Sequence, residues 1–411
     1  MTDVNKPLDA SGRGLTGNFR VPFPGVMYPY NEQEIAAVVE AMRNAKSLTQ
    51  GPYLQKFEQD FQNYSGAPHA FAVDNATNAL RLAATLCRLG PGDEVIIPAY
   101  TFCATAIPFG GTGAKIVWAD IDPDTRVACP ADIERKITPR TKAIVVVHLL
   151  GMPVDMDPVM AIANAHNLKV VEDCAQAPGA AYKGKKVGTI GDYGCYSFHG
   201  AKNMTTLGEG GMLTVQSDAD AALVPGIRHN GVRAHPASRP RYWVPAMSNV
   251  DIDIEGVWPN NFCIGEVQCA LGSTLLKRLD CVNNILRSQA DRLMKGMADI
   301  PEISFQKVPE GHYHVYHVLI GKLDTATFGC TREDFMDIMT GEFGLRMIVQ
   351  YYPLYRYPLF QKMGFAEHDC PQLEAYWDSS FSWPWWCGMP DGTLNELIDC
   401  THKAIDRLKG E

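Results

Sequence analysis

The chain has 411 residues, 46% of them hydrophobic and 20% charged, with a formal net charge of −9. That acidic balance excludes the basic footprint of a nucleic-acid-binding protein, so no nucleic-acid partner is expected, and an anionic ligand would have to be met by local groups. No window approaches the ~20 apolar residues of a membrane span, and residues 1–21, with Asp3, Lys6, Asp9, Arg13 and Arg20, lack the apolar core of a signal peptide; a cytoplasmic protein with no membrane contact is expected.

In chain order, an N-terminal arm over 1–26 precedes a first helix, whose capping start is Asn31 with Glu34 and whose apolar residues Ile35, Val38, Val39 and Met42 recur at helical spacing. A second helix carries Leu54, Phe57, Phe61 and Tyr64 and stops at Gly66. Short apolar runs follow at 69–73, 93–98, 114–120, 142–150, 168–173, 195–198 and 212–215, with helical patterns between several of them, notably at 77–89 and 155–166. Continuously apolar strands alternating with helices predict an α/β domain whose sheet is mostly parallel and buried on both faces. This large domain is assigned to 27–272. After Gly272 a long amphipathic helix through Leu275, Leu276, Leu279, Val282, Ile285 and Leu286 opens a smaller C-terminal α+β domain over 273–411. Residues 233–261, rich in Pro, Trp and Asn, read as a long loop. The 12 cysteines are scattered with no C-x-x-C, and Cys87, Cys195 and Cys269 lie in apolar runs, which predicts buried reduced thiols rather than zinc ligands or disulfides.

Three signals bear on chemistry. At "AVDNATNAL" a strand passes into a helix with Asn75 and Thr77 at the junction; such a helix start suits a phosphate, although the same residues make an ordinary N-cap. At "VVEDCAQA" Glu172 and Asp173 stand at the end of a strand, where open α/β sheets bind ligands and where caps and turns also use acids. In "CYSFHGAKNMTTLGEGGMLTV", residues 195–215, Lys202 sits between two strand-like runs with turn glycines at Gly208, Gly210 and Gly211. A cofactor with a phosphate, a basic ring nitrogen and an aldehyde needs those three groups in combination, and pyridoxal phosphate is that cofactor. Two look-alikes fail. "GGTGAKIV" at 110–117 lacks P-loop spacing, and "HYHVYHV" at 312–318 puts His312 and His314 on one strand face and His317 on the other, so no metal is assigned.

The stretches "EDCAQAPGA", "SFHGAKNMTTLGEGGMLTV" and "PAYTFCATA" resemble the motifs of the DegT/StrS sugar aminotransferases, fold-type I pyridoxal-phosphate enzymes. The likeness runs from about Gly51-Pro52 to Gln268, with echoes in "QYYPLYRYPLF" at 350–360. It implies a large domain with a mostly parallel seven-stranded sheet. It further implies that Lys202 holds the cofactor covalently and shuttles the proton, that Asp173 pairs with the ring nitrogen, and that Gln176 lies beside the ring's phenolic oxygen. Ser197, Thr77 and the backbone at Ala76 match the phosphate contacts, Phe102 the aromatic residue over the ring face, and Asn261 the asparagine that reaches the neighbouring subunit's cofactor, which implies a homodimer with shared active sites. Cys263 replaces an arginine frequent in the family, and Gln350 and Tyr355 replace two frequent histidines. Arg228 and Tyr355 are the candidate substrate contacts. The implied reaction moves an amino group from L-glutamate or L-glutamine to a keto-sugar, a nucleotide-linked keto-deoxysugar in the biosynthesis of an amino sugar, with a ketocyclitol or other secondary-metabolite ketone as the alternative acceptor. Lys202 stands against a dehydratase of this fold, in which a histidine replaces the lysine, and against a non-catalytic regulatory relative.

Overall fold

The computed structural model describes residues 19–410 except 234–240, 242 and 255. Most of the arm expected over 1–26, and part of the loop expected over 233–261, therefore lie outside the described residues.

Seven strands form the central sheet: β1 (His69–Val73), β2 (Glu94–Pro98), β3 (Lys115–Ala119), β4 (Thr141–Val147), β5 (Lys169–Asp173), β6 (Tyr193–Ser197) and β7 (Gly211–Val215). Their spatial order is β1-β7-β6-β5-β4-β2-β3. β7 runs antiparallel to both β1 and β6, and the other pairings are parallel. Every residue of β2, β6 and β7 is buried, as continuous apolar runs require when helices cover both faces of a sheet. The sheet is therefore the mostly parallel, seven-stranded one that the sequence led us to expect.

Two early helices show how local chemistry sets the frame. In α1 (Glu32–Asn44) the capping box forms: Asn31 Oδ1 accepts from the Glu34 amide at 3.0 Å, and Glu34 Oε2 accepts from the Asn31 amide at 2.9 Å. Its apolar stripe does not face the core. Ile35, Val39 and Met42 are exposed, while the buried Glu34 carboxylate pairs with Arg278 at 2.9 Å. Helix α2 (Pro52–Ser65) buries Phe57 and Phe61 against Phe198 and Tyr196, and ends at Gly66 in the left-handed region with φ of 80°. The start of α2 is capped from 215 residues away: buried Glu266 accepts from the amides of Gly51 (2.9 Å), Tyr53 (2.8 Å) and Leu54 (3.1 Å). Glu266→Ala would leave three amide donors unpaired, two of them buried, and urea denaturation should show a loss of about 3 kcal/mol.

The amphipathic stretch expected as one long helix after Gly272 is two, Glu266–Leu276 and Leu279–Gly296. They part at Lys277–Arg278, where Arg278 turns to Glu34 and lies 4.5 Å over the Tyr28 ring. Gly272 itself lies inside the first helix, facing the Phe57 ring. We propose that the domain division falls at this turn. Beyond it, strands Ile303–Phe305, Ile320–Leu323 and Ser380–Ser382 form an antiparallel sheet, and Gly321 lets the Phe381 and Trp383 rings close over it. All 12 cysteines are free. No helix among the described residues is long and apolar enough to cross a membrane.

Candidate active site

The site is built at the carboxyl ends of β4, β5 and β6, with β7 and the start of α3 (Ala76–Leu86) closing one side. β5 ends in Asp173, 4% exposed. Its Oδ2 accepts from the Thr105 hydroxyl at 2.7 Å and its Oδ1 from the Ala175 amide at 3.0 Å. Burial holds the Asp173 carboxyl above the usual carboxylate range, against the pull of the Ala175 amide, Thr105, Lys202 and His148. A buried acid in that state is suited to a cationic N–H donor, which would restore its charge.

β6 ends in the buried Ser197, and the chain then makes the tight turn carrying Lys202, whose amide donates to His199 O at 2.9 Å. Lys202 lies within electrostatic reach of Asp173. The returning strand β7 begins at Gly211, where an added Cβ would stand 2.6 Å from the backbone carbon of Asn75 and 2.8 Å from the Ala76 nitrogen. Only a glycine there lets the first turn of α3 press against the β6–β7 ends. Asn75 Oδ1 caps that helix through the Asn78 amide at 2.9 Å, so Ala76 and Thr77 form its amide-bearing first turn beside Ser197. This cradle fits a phosphate.

Gln176 joins from the loop after β5. Its Oε1 accepts from the Leu150 amide at 2.7 Å, and its Nε2 donates to the Tyr351 hydroxyl at 2.8 Å. Phe102 follows β2, is 52% exposed, and has its ring centroid 6.0 Å from that of Tyr351. Asp173, Lys202, Ser197, Ala76 and Thr77 thus gather at one end of the sheet, and Gln176 and Phe102 meet through Tyr351. Asn261 is on a separate, exposed segment, where its Oδ1 accepts from the Cys263 amide at 3.3 Å.

The two candidate substrate contacts are both buried. Arg228 has Nη1 on the half-buried Glu58 at 2.5 Å and on Ala72 O at 2.7 Å. Tyr355, the other substrate candidate, is also buried, with its hydroxyl on Glu374 at 2.5 Å and its ring stacked on His368. In the same segment Tyr351, four residues earlier, meets Gln176, and no local pattern signals it because the two are 175 residues apart. Beside it, Gln350 Oε1 is buried without a hydrogen-bond partner among the described residues.

The metal-capable group among the described residues is His148, Glu172 and Cys174. Glu172 is saturated: its oxygens accept from the amides of Gly188, Ile190 and Gly191 and meet His148 Nε2 at 3.0 Å. Burial also pushes the Cys174 thiol up, away from the thiolate a metal needs. Of the histidines in "HYHVYHV", His312 packs on Tyr182 and His314 stacks on Tyr316, while His317 bonds Asn203; they do not converge.

Comparison with known proteins follows the same lines. The model of the DegT/DnrJ/EryC1/StrS aminotransferase family matches residues 29–402. The chain is 41% identical over 243 residues to GDP-perosamine synthase of Caulobacter vibrioides, covering 59% of this chain and 61% of that protein. It is 33% identical over 334 residues to L-glutamine:2-deoxy-scyllo-inosose aminotransferase of Streptoalloteichus tenebrarius, covering 79% and 77%. Among solved structures, the PLP-form of Spr1654 from Streptococcus pneumoniae superposes with a TM-score of 0.81 at 25% identity, covering 94% of this chain and 99% of that one.

Proposed function

From the premise that this chain belongs to the DegT/DnrJ/EryC1/StrS aminotransferase family, and so is a pyridoxal-phosphate-dependent aminotransferase, we propose its substrates and the residues that serve them. The donor is L-glutamate or L-glutamine and the acceptor a nucleotide-linked keto-deoxysugar. The observation that carries the reading is the buried Asp173 carboxylate at the end of β5, held by the Thr105 hydroxyl and the Ala175 amide with Lys202 within its electrostatic reach, because an acid and an amine so placed suit a cofactor with a cationic ring and an aldehyde. Likeness to GDP-perosamine synthase supports a nucleotide sugar. Likeness to the deoxy-scyllo-inosose enzyme favours the second reading, a ketocyclitol acceptor.

When bound, pyridoxal phosphate supplies an electron sink for the pair released at the donor's Cα. The chain's residues do the rest. The amides of Ala76 and Thr77, with the Thr77 and Ser197 hydroxyls, hold the phosphate and so fix the ring. The Asp173 carboxylate keeps the ring nitrogen protonated, and the Thr105 hydroxyl and Ala175 amide orient that carboxylate. Lys202 Nζ anchors the cofactor and then holds and moves the proton at Cα. Phe102 would cover a face of the bound ring and exclude water, and Gln176, steadied by Tyr351, would meet its phenolic oxygen.

The active form is a homodimer with shared sites. The exposed stripe of Ile35, Val39 and Met42 on α1 and the exposed Asn261 support a second copy against these surfaces. Twelve free cysteines support a reducing, cytoplasmic setting. The test is a visible spectrum of the PLP-loaded protein. L-Glutamate or L-glutamine should bleach the band, and the true acceptor should restore it, when nucleotide-linked keto-sugars and ketocyclitols are added in turn. Restoration by ketocyclitols alone would reject the nucleotide sugar.

A further inference from the structure

Gln176 is 4% exposed, and the partners of its amide fix which end is which. Oε1 accepts from the Leu150 amide at 2.7 Å, so the opposite end is the NH₂ group, and Nε2 donates one hydrogen to the Tyr351 hydroxyl oxygen at 2.8 Å. The second Nε2 hydrogen has no partner among the described residues. A buried amide with one unspent hydrogen, on the loop that follows Asp173, is suited to an acceptor that a ligand brings.

Tyr351 is itself held at two points by the segment that follows β2. The Tyr100 hydroxyl donates to Gln350 O, and the Leu354 amide donates to Ala99 O at 3.0 Å. The same segment carries Phe102, whose ring lies 6.0 Å from that of Tyr351, centroid to centroid, at an interplanar angle of 62°. Tyr351 thus meets both residues assigned to the cofactor ring, Phe102 through its ring and Gln176 through its hydroxyl.

We propose that Tyr351 is a positioning residue for the cofactor's phenolic oxygen, acting through Gln176: its hydroxyl takes one Nε2 hydrogen and so aims the other at that oxygen. This rests on the reading above that Gln176 meets the phenolic oxygen. An amide held at both ends keeps one orientation, so its remaining hydrogen needs no reordering when the acceptor arrives. Donation to the phenolic oxygen is strongest when that oxygen carries its full negative charge, which is when the nitrogen joining Lys202 to the cofactor has lost its proton. Gln176, with Tyr351 behind it, therefore lowers the pH at which that nitrogen titrates. The other titratable groups at the site are Asp173 from β5, His148 after β4, His199 in the Lys202 turn, His317 and Tyr100. All are untouched by the variants below and weigh on each of them alike.

The experiment reads the pH midpoint of the visible band in the PLP-loaded full-length protein, for wild type, Tyr351→Phe, Gln176→Ala and the double variant. Phenylalanine removes the hydroxyl and keeps a ring against Phe102. Gln176→Ala should raise the midpoint by about one pH unit, the worth of one charge-assisted hydrogen bond, and Tyr351→Phe by about half a unit. The double variant should match Gln176→Ala, because the hydroxyl then has nothing to aim. A midpoint that stays put or falls in Tyr351→Phe overturns the role. A Tyr351→Phe shift that adds in full to that of Gln176→Ala overturns the route through Gln176. Should Gln176→Ala not fold, the sign of the Tyr351→Phe shift decides alone. A wild type that forms no visible band, or a Gln176→Ala midpoint that does not move, overturns the reading on which this role rests, and the role with it.

Discussion

Lys202→Ala is expected to abolish the visible band of the PLP-loaded protein and to reduce amino transfer by at least about 10⁴-fold, while leaving the fold intact. The size follows from two roles lost together, covalent anchor and proton carrier, each of which contributes strongly in enzymes of this kind of chemistry. The fold should survive because Lys202 sits in a turn held by backbone contacts, Lys202 N to His199 O and Gly200 N to Gly208 O, that alanine preserves. Absorption spectra read the first effect, and circular dichroism checks the second. A Lys202→Ala protein that still transaminates would revive the non-catalytic view of this lysine.

Asp173→Asn should separate stability from activity. Activity should fall about 100- to 1,000-fold, as when a preorganised electrostatic partner is removed. In the cofactor-free protein the same change should raise stability near neutral pH, by on the order of 1 kcal/mol. The sign comes from the raised carboxyl. The native state binds the Asp173 proton more tightly than the unfolded chain, so the native state loses stability as pH rises from about 4 through the folded value, and the cost is fully present above that value. Asparagine carries no charge and fits the same partners: its oxygen can accept from the Ala175 amide, and its NH₂ can donate to Thr105, whose hydroxyl then turns toward Thr101, 2.8 Å away. Melting curves of the cofactor-free proteins at pH 7 and pH 4 check this; the Asn advantage should shrink at the lower pH. An Asn variant less stable at pH 7 would mean that Asp173 is held by its hydrogen bonds more firmly than burial penalises it.

Arg228 and Tyr355 carry the chemistry of ligand contacts, and a sequence shows a side chain's chemistry without its neighbours. Glu58 lies 170 residues from Arg228 and Glu374 lies 19 from Tyr355, and those acids meet Arg228 Nη1 and the Tyr355 hydroxyl. Tyr351 is the converse case, since its partner Gln176 is 175 residues away. The stripe on α1 was legible as a helix face, but whether it faced inward depended on Arg278 drawing Glu34 into the interior.

The sequence by itself determined the α/β class, the strands and most helices, because periodicity, caps and turn glycines act within a few residues and are written in order along the chain. It also named Lys202, Asp173, Ser197 and the start of α3, since a parallel sheet delivers the ends of its strands to one edge and a loop ending a strand must open there. Only the tertiary structure decided which polar groups are spent on one another. It paired the buried Arg228 and Tyr355 with half-buried acids, brought Tyr351 to Gln176, and joined Asn203, Asn283 and His317 into one buried chain. Hydrogen bonds and burial act at a few ångströms between residues that may be hundreds apart in sequence, and no local pattern records those distances.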